Sequence, residues 1–263
     1  METSRRGFIK AAGLAALGLV VARPVIDVFS RTESAQASLV ADTPMAAKLA
    51  PTTRWGMAVN LTACAQDEGC TACIDACHSY HNVPDIPGDE EIKWIYKAPY
   101  EKVFPESENE FIDSGIKNVP VLLLCNHCEF PPCTKVCPTR ATFKREDGIV
   151  MMDYHRCIGC RYCMAGCPYG ARSFNWREPR PYIKEINPDF PTRTRGVVEK
   201  CDFCAKRLSE GLLPACVEAC PESLTFGNLL DEESEISKIL KTYHIIRRAP
   251  ELGTEPNVYY YYT

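Results

Sequence analysis

The chain has 263 residues, with 30 lysines and arginines against 34 aspartates and glutamates; the net charge of −4 and the lack of any basic stripe argue against a nucleic-acid partner. That length supports one domain of ordinary size, or two small ones fused around a common core. Sixteen cysteines are far more than ordinary usage, and they fall into four groups of four beginning at Cys64, Cys125, Cys157 and Cys201.

In chain order, Ser4-Arg5-Arg6-Gly7-Phe8-Ile9-Lys10 reads as a twin-arginine export signal. The apolar run Ala11 to Ala22 follows, too short for a stable membrane helix, and Arg23 and Pro24 interrupt it. Ala35-Gln36-Ala37 then offers an A-x-A cleavage site. Residues 1–37 are therefore expected to be a signal peptide, with the mature chain in the periplasm or peripheral on the outer face of the cytoplasmic membrane. The other reading is an amphipathic N-terminal helix that happens to carry two arginines. No later segment has 18 consecutive apolar residues, so the mature chain is expected to have no transmembrane helix of its own.

Residues 38–53 are Ala-, Pro- and Thr-rich without periodicity and read as a flexible leader. Residues 54–230 repeat one pattern, in which a short apolar strand runs into a cysteine group and a turn and a second strand leave it. The expected leading strands are Met57–Leu61, Val119–Leu124, Ile149–Asp153 and Val197–Lys200; the expected exit strands are Ala141–Lys144, Arg172–Trp176 and Leu224–Gly227. Glu146-Asp147-Gly148 marks a turn, which makes residues 141–153 a hairpin. Residues 78–118 and 177–195 read as Pro-interrupted insertions suited to partner contacts or to surface filler. Residues 231–263 hold a short helix with Ile236, Ile239 and Leu240 on one face, then a tyrosine-rich tail that either docks on a partner or packs back on its own chain.

The third group, Cys157-x₂-Cys160-x₂-Cys163-x₃-Cys167-Pro168, is the cysteine run of bacterial ferredoxins. Three thiolates on a tight loop reach three irons of one cube, while the fourth, on the turn that follows, ligates the other cluster of the pair. Gly159 keeps that loop compact enough for backbone N–H groups to approach the negatively charged cluster. Cys125-x₂-Cys128-x₄-Cys133-x₃-Cys137-Pro138 enlarges the loop around Pro131 and Pro132. Cys201-x₂-Cys204-x₁₁-Cys216-x₃-Cys220-Pro221 carries an insertion, Ala205 to Ala215, that looks like a short helix. Cys64-x₅-Cys70-x₂-Cys73-x₃-Cys77 departs most, with a wide first gap and His78 in place of proline. These spacings predict four [4Fe–4S] clusters, or three with one site modified, and the doubt falls on Cys64.

Structural zinc and a disulfide framework are the competing readings. The first fails on the repeated C-x₃-C-P ending, and the second fits the even count and the export but not the ferredoxin spacing. His127 and His155 are placed to donate to cluster sulfur or simply to pack, and His78 and His81 read as satisfied surface histidines. Trp94 and Trp176 read as shields for the clusters. The chain has no Rossmann fingerprint, Walker loop, zincin helix, nucleophile elbow or haem-attachment motif, so chemistry beyond one-electron transfer has no visible home.

Four such groups behind a twin-arginine signal resemble the four-cluster ferredoxin subunits of complex iron–sulfur molybdoenzymes and related quinone-linked membrane complexes. Arg54 to Met57, Cys157 to Trp176, Asn187 to Lys200 and Pro250 to Tyr260 look most like one branch, the exported ferredoxin-like (DsrO-type) subunit of the Dsr membrane complex of sulfur metabolism. The resemblance implies an α+β fold of two fused ferredoxin-like units related by a pseudo-twofold, with groups one and four in one unit and groups two and three in the other. The ligand sets it implies are Cys64, Cys70, Cys73 with Cys220; Cys201, Cys204, Cys216 with Cys77; Cys125, Cys128, Cys133 with Cys167; and Cys157, Cys160, Cys163 with Cys137. It further implies a quinone-reactive integral membrane subunit and a multihaem cytochrome c as partners. The electron-transfer subunit of an exported molybdopterin enzyme is the alternative, and a redox-sensing or structural iron–sulfur protein is a third class.

Overall fold

The structure, a computed structural model, describes residues 52–66, 69–107, 117 and 119–263; the expected signal peptide and all of the expected leader but Thr52 and Thr53 lie outside them. Each cysteine group is reached from a short strand: β1 (Trp55–Asn60), β3 (Pro120–Leu124), β5 (Val150–Met152) and β7 (Val198–Glu199). The exits are β4 (Thr142–Lys144), β6 (Ser173–Phe174) and β8 (Leu224–Asn228), and three further strands are β2 (Ile95–Pro99), β9 (Ile245–Ile246) and β10 (Val258–Tyr261). Met57 to Val59 and Val121 to Leu124 are buried as continuous apolar runs. That pattern suits strands covered on both faces.

The strands pair locally except in one place. The 141–153 segment forms the expected antiparallel hairpin β4–β5, with Thr142 opposite Met152 and Gly148 at φ +86° in its turn. β2–β3 and β6–β7 are two-stranded as well, and the remaining strands make a sheet in the order β8-β1-β10-β9. There β10 lies parallel to β1, from Met57 opposite Val258 to Asn60 opposite Tyr261. The tyrosine tail therefore packs back on its own chain as an interior strand, and the docking tail expected for 231–263 is corrected to that extent. Helix α8 (Glu235–Thr242) covers the same sheet, capped by the Ser234 hydroxyl on Ser237 N and seated through Ile236.

Tyr260 is fully buried, packs edge-on against Phe104 at 5.4 Å, and donates its hydroxyl to Leu122 O at 3.1 Å. Tyr260→Phe is expected to cost about 1 kcal/mol, the net worth of that hydrogen bond. Tyr260→Ala is expected to cost about 3–5 kcal/mol, as for other large aromatic truncations. Denaturation midpoints measured side by side check the ratio.

The remaining helices are one or two turns long, and four of them carry the third cysteine of a group. They are α1 (Leu61–Ala65), α2 (Ala72–Tyr80), α3 (Tyr100–Val103), α4 (Pro132–Lys135), α5 (Tyr162–Ala165), α6 (Ala205–Ser209) and α7 (Ala215–Ala219). The third cysteine of every group is the second residue of such a helix: Cys73 in α2, Cys133 in α4, Cys163 in α5 and Cys216 in α7. Pro132 starts α4, where its missing N–H costs nothing.

Neither insertion is surface filler. The 78–118 segment supplies β2 and the buried Ile86, Ile92 and Trp94, and the 177–195 segment buries Phe190 and Arg193. Their polar residues concealed a second set of core contacts.

Candidate metal centre

Each group splits at its helix. In the second, third and fourth groups the helix ends before the fourth cysteine, which faces a different cavity from the first three. Cys64, Cys70 and Cys73 line a cavity of about 60 Å³ with Cys220. Cys125, Cys128 and Cys133 line one of about 20 Å³ with Cys167, and Cys157, Cys160 and Cys163 line one of about 10 Å³ with Cys137. Cys201, Cys204 and Cys216 converge on Cys77, whose buried thiol is pushed up first by burial and then by the charges of these three. The sets neighbour one another in the order first, fourth, second, third. Cys216 feels Cys73 of the first-group cavity, Cys201 feels Cys125, and Cys163 feels Cys133.

The loops curl through left-handed residues. Arg161 at φ 61°, Phe203 at 55° and Cys204 at 51° take this conformation in the third and fourth groups. Gly159, at φ +69°, is required twice over, because a Cβ there would also lie 2.5 Å from the Gly196 carbonyl. Phe203 N donates to Cys201 Sγ at 3.5 Å and Ala215 N to Cys204 Sγ at 3.4 Å. These are the backbone donors that a negatively charged group at the sulfurs needs.

None of the sixteen cysteines is in a disulfide, which removes the framework reading. Burial pushes the Cys73 and Cys128 thiols up to about 12, and the Cys204 and Cys216 thiols up as well. Unpaired thiols crowded in fours, nine of the sixteen buried, fit a cluster that brings its own iron to hold them as thiolates. A single zinc ion, with Zn–S bonds of about 2.3 Å, would leave no cavity among them. Exposure grades along this order: all four of Cys77, Cys201, Cys204 and Cys216 are buried, while Cys160, at the far end, is the one exposed cysteine.

The histidines divide differently from the sequence reading. His155 is fully exposed beside Asp153 and touches no sulfur. His127 is buried, accepts from Val150 N at 3.0 Å, and stacks on Phe203 at 3.7 Å, so it packs. His81 is not a surface residue: Nδ1 lies 2.9 Å from Cys77 O and 3.6 Å from Cys77 Sγ, and Nε2 lies 3.2 Å from Asp202. Burial is the largest influence on the Asp202 carboxyl and would raise it, but the hydrogen bond and charge of His81, the charge of Lys200 and the Cys204 N–H together hold it below its usual value. His78 is partly buried and lines a separate open groove with Asp75, Asp85 and Glu91. Trp94 is buried over this region, whereas Trp176 is half exposed under Arg161, 4.5 Å from its guanidinium.

Charged residues are the part that the motifs missed. Lys97 donates to Cys70 O at 2.7 Å beside the first-group cavity. Arg172 and Lys200 are buried near the second-group cavity, and Arg193 and Glu199 form a fully buried ion pair at 2.6 Å. Nothing in the one-dimensional pattern separates these inward charges from exposed ones.

Known proteins resemble this chain in sequence. Two family models described as 4Fe–4S dicluster domains match residues 121–182 and 156–224. The Hdr-like menaquinol oxidoreductase iron–sulfur subunit 1 of Archaeoglobus fulgidus is 41% identical, over 98% of this chain and 97% of its own. The putative iron–sulfur subunit of a dimethyl sulfoxide reductase from Halobacterium salinarum is 40% identical over 79% of each chain. The iron–sulfur cluster-binding subunit of the Nitratidesulfovibrio vulgaris menaquinone reductase is 37% identical over 79% of this chain and 88% of its own. The cofactor is thus a set of four [4Fe–4S] clusters, and the chain belongs to the family of 4Fe–4S dicluster iron–sulfur subunits that includes those of menaquinol oxidoreductases and molybdoenzymes.

Proposed function

We propose that the chain relays single electrons through four clusters, each ligated by one of the crossed cysteine sets, between a quinone-reactive membrane subunit and a redox partner in a Dsr-like complex of sulfur metabolism. The observation that carries this reading is the series of four cysteine quartets, buried in its interior and reaching the surface at Cys160. A sensor needs one cluster, whereas a wire needs several in mutual reach. The pairing of the first group with the fourth and of the second with the third supports two ferredoxin-like units, and we read them as related by a pseudo-twofold. No helix among the described residues is long and apolar enough to cross a membrane, which suits a peripheral subunit. Residues 1–37 act as a twin-arginine signal in this reading, which places the loaded protein on the outer face of the cytoplasmic membrane, and the partner there is a multihaem cytochrome c.

The alternative, a subunit of an exported molybdopterin oxidoreductase, is favoured by the likeness to the dimethyl sulfoxide reductase protein. Metal analysis of the anaerobically purified chain is expected to give about sixteen iron and sixteen sulfide, four cubes' worth. Zinc in their place would sink the relay. A haem c protein co-purifying from membranes supports the Dsr-like complex, and a molybdopterin subunit in its place overturns it for the alternative.

A further inference from the structure

Two buried cations stand between neighbouring cysteine sets, and neither has a carboxylate partner among the described residues. Arg172, 5% exposed, forms part of the wall of the Cys125, Cys128, Cys133 and Cys167 cavity. Its Nη2 donates to Cys133 Sγ and to Thr142 Oγ1, both at 2.9 Å. Its Nη1 lies 4.0 Å from Met152 Sδ, in the wall of the next cavity outward, that of Cys157, Cys160 and Cys163. Lys200, 1% exposed, stands on the inner side. Its Nζ donates to Cys201 O at 2.6 Å and to the carbonyl of Val150, a wall residue of the Arg172 cavity.

A buried charge without a counter-charge is costly, and the fold elsewhere pairs its buried Arg193 with Glu199. For Arg172 the anions within reach are the cysteine sulfurs and whatever they hold; Lys200 feels Asp202 as well as those sulfurs. The next set inward carries the opposite sign. Asp202 lies between Cys201 and Cys204 in sequence and accepts from Cys204 N at 2.8 Å.

We propose that Arg172 and Lys200 are positioning cations that jointly make the cluster at Cys125, Cys128, Cys133 and Cys167 the highest-potential site of the relay, while Asp202 lowers its inner neighbour at Cys77, Cys201, Cys204 and Cys216. Reduction adds a negative charge. A fixed cation a few ångströms away in a low-dielectric interior stabilises the reduced form, and a fixed anion destabilises it. Both cations flank one set, and each also touches a different neighbour, so their effects overlap at a single cluster. An electron entering from either end then rests in the second-group site, between a lower-potential inner site and the surface site at Cys160. This inference rests on the assignment of the crossed cysteine sets as cluster ligands.

The test is a redox titration of the full loaded chain, followed by low-temperature electron paramagnetic resonance. Arg172→Gln should lower the midpoints of two features, and Lys200→Gln should lower two, with one feature common to both variants. That common feature should be the highest-potential one in the parent, and Arg172→Lys, which keeps the charge, should move it least. Asp202→Asn should raise a feature that Lys200→Gln lowers and Arg172→Gln leaves alone. The proposal is overturned if no feature moves in both variants, if the common one is not the highest, or if the shifts have the opposite sign. Should Arg172→Gln fail to load iron, Lys200→Gln and Asp202→Asn must still move one shared feature in opposite directions, and their failure to do so is equally fatal. A parent chain with far fewer than about sixteen iron would refute the four-cluster relay itself, a result separable from any midpoint.

Discussion

Cys167→Ser is expected to strip or convert the cluster at Cys125, Cys128 and Cys133 and to spare the one at Cys157, Cys160 and Cys163. Cys167 is continuous with the latter group, four residues beyond Cys163, yet it lines the cavity of the former, 30 residues and more upstream. Serine is a harder and less acidic ligand than cysteine, so one corner of that cube is held weakly. The chain should lose between about one and four iron, depending on whether a three-iron remnant survives. Cys137→Ser should do the converse, because Cys137 lies in the cavity of Cys157, Cys160 and Cys163. Iron analysis with paramagnetic resonance of both variants, each compared with Cys160→Ser, reads the outcome. Loss of the same feature in Cys167→Ser and Cys160→Ser would refute the crossed assignment.

The second large effect is on stability and lies outside the cysteine motifs. Arg193→Met should destabilise the loaded protein by about 3–5 kcal/mol, because it leaves the Glu199 carboxylate buried without its counter-charge. Glu199 keeps two neutral donors, Trp94 Nε1 at 2.8 Å and Asn175 Nδ2 at 2.5 Å, and neither replaces a guanidinium at 2.6 Å. Arg193 also donates to the carbonyls of His81 and of Asn82, the latter at 2.8 Å, which are the residues that seat α2 and Cys77. The double variant Arg193→Met with Glu199→Gln should recover part of the loss, since no naked charge remains. Denaturant midpoints followed by cluster absorbance under anaerobic conditions make the comparison. A single variant no less stable than the double one would show that the uncompensated carboxylate is not what costs.

How much of this was legible in the sequence can be judged residue by residue. Cysteine spacing is a local property: C-x₂-C-x₂-C needs only a tight loop, and x₃ to the fourth cysteine needs only one helical turn. The cluster type, and a number of four or three, could therefore be read in one dimension, whereas the helix that begins beside each third cysteine came from the structure. The hairpin at 141–153 could also be read, where Asp147-Gly148 supplies both the turn and the required positive φ. The apolar runs before each group announced β1, β3, β5 and β7 to within a residue or two, because strand burial is written in consecutive side chains.

What lay beyond the sequence was everything set by which surfaces meet. Val258 to Tyr261 is amphipathic whether it docks on a partner or inserts beside β1, and only the fold shows the parallel pairing that makes it an interior strand. The polar insertions concealed Trp94, Phe190 and Arg193 because a side chain that pairs inside the protein is spelled the same as one that meets water. His81, read as a surface histidine, reaches Cys77 only because it caps the end of α2, which carries Cys77, and Asp202 arrives from the fourth group. The sequence by itself determined that [4Fe–4S] clusters are held and by which kind of loop, since ligand chemistry and local loop geometry depend on neighbours in the chain. Only the tertiary structure decided the order in which the four sites stand and the charges set between them, because Arg172, Lys200 and Asp202 act across space, through distances of a few ångströms that no spacing along the chain encodes.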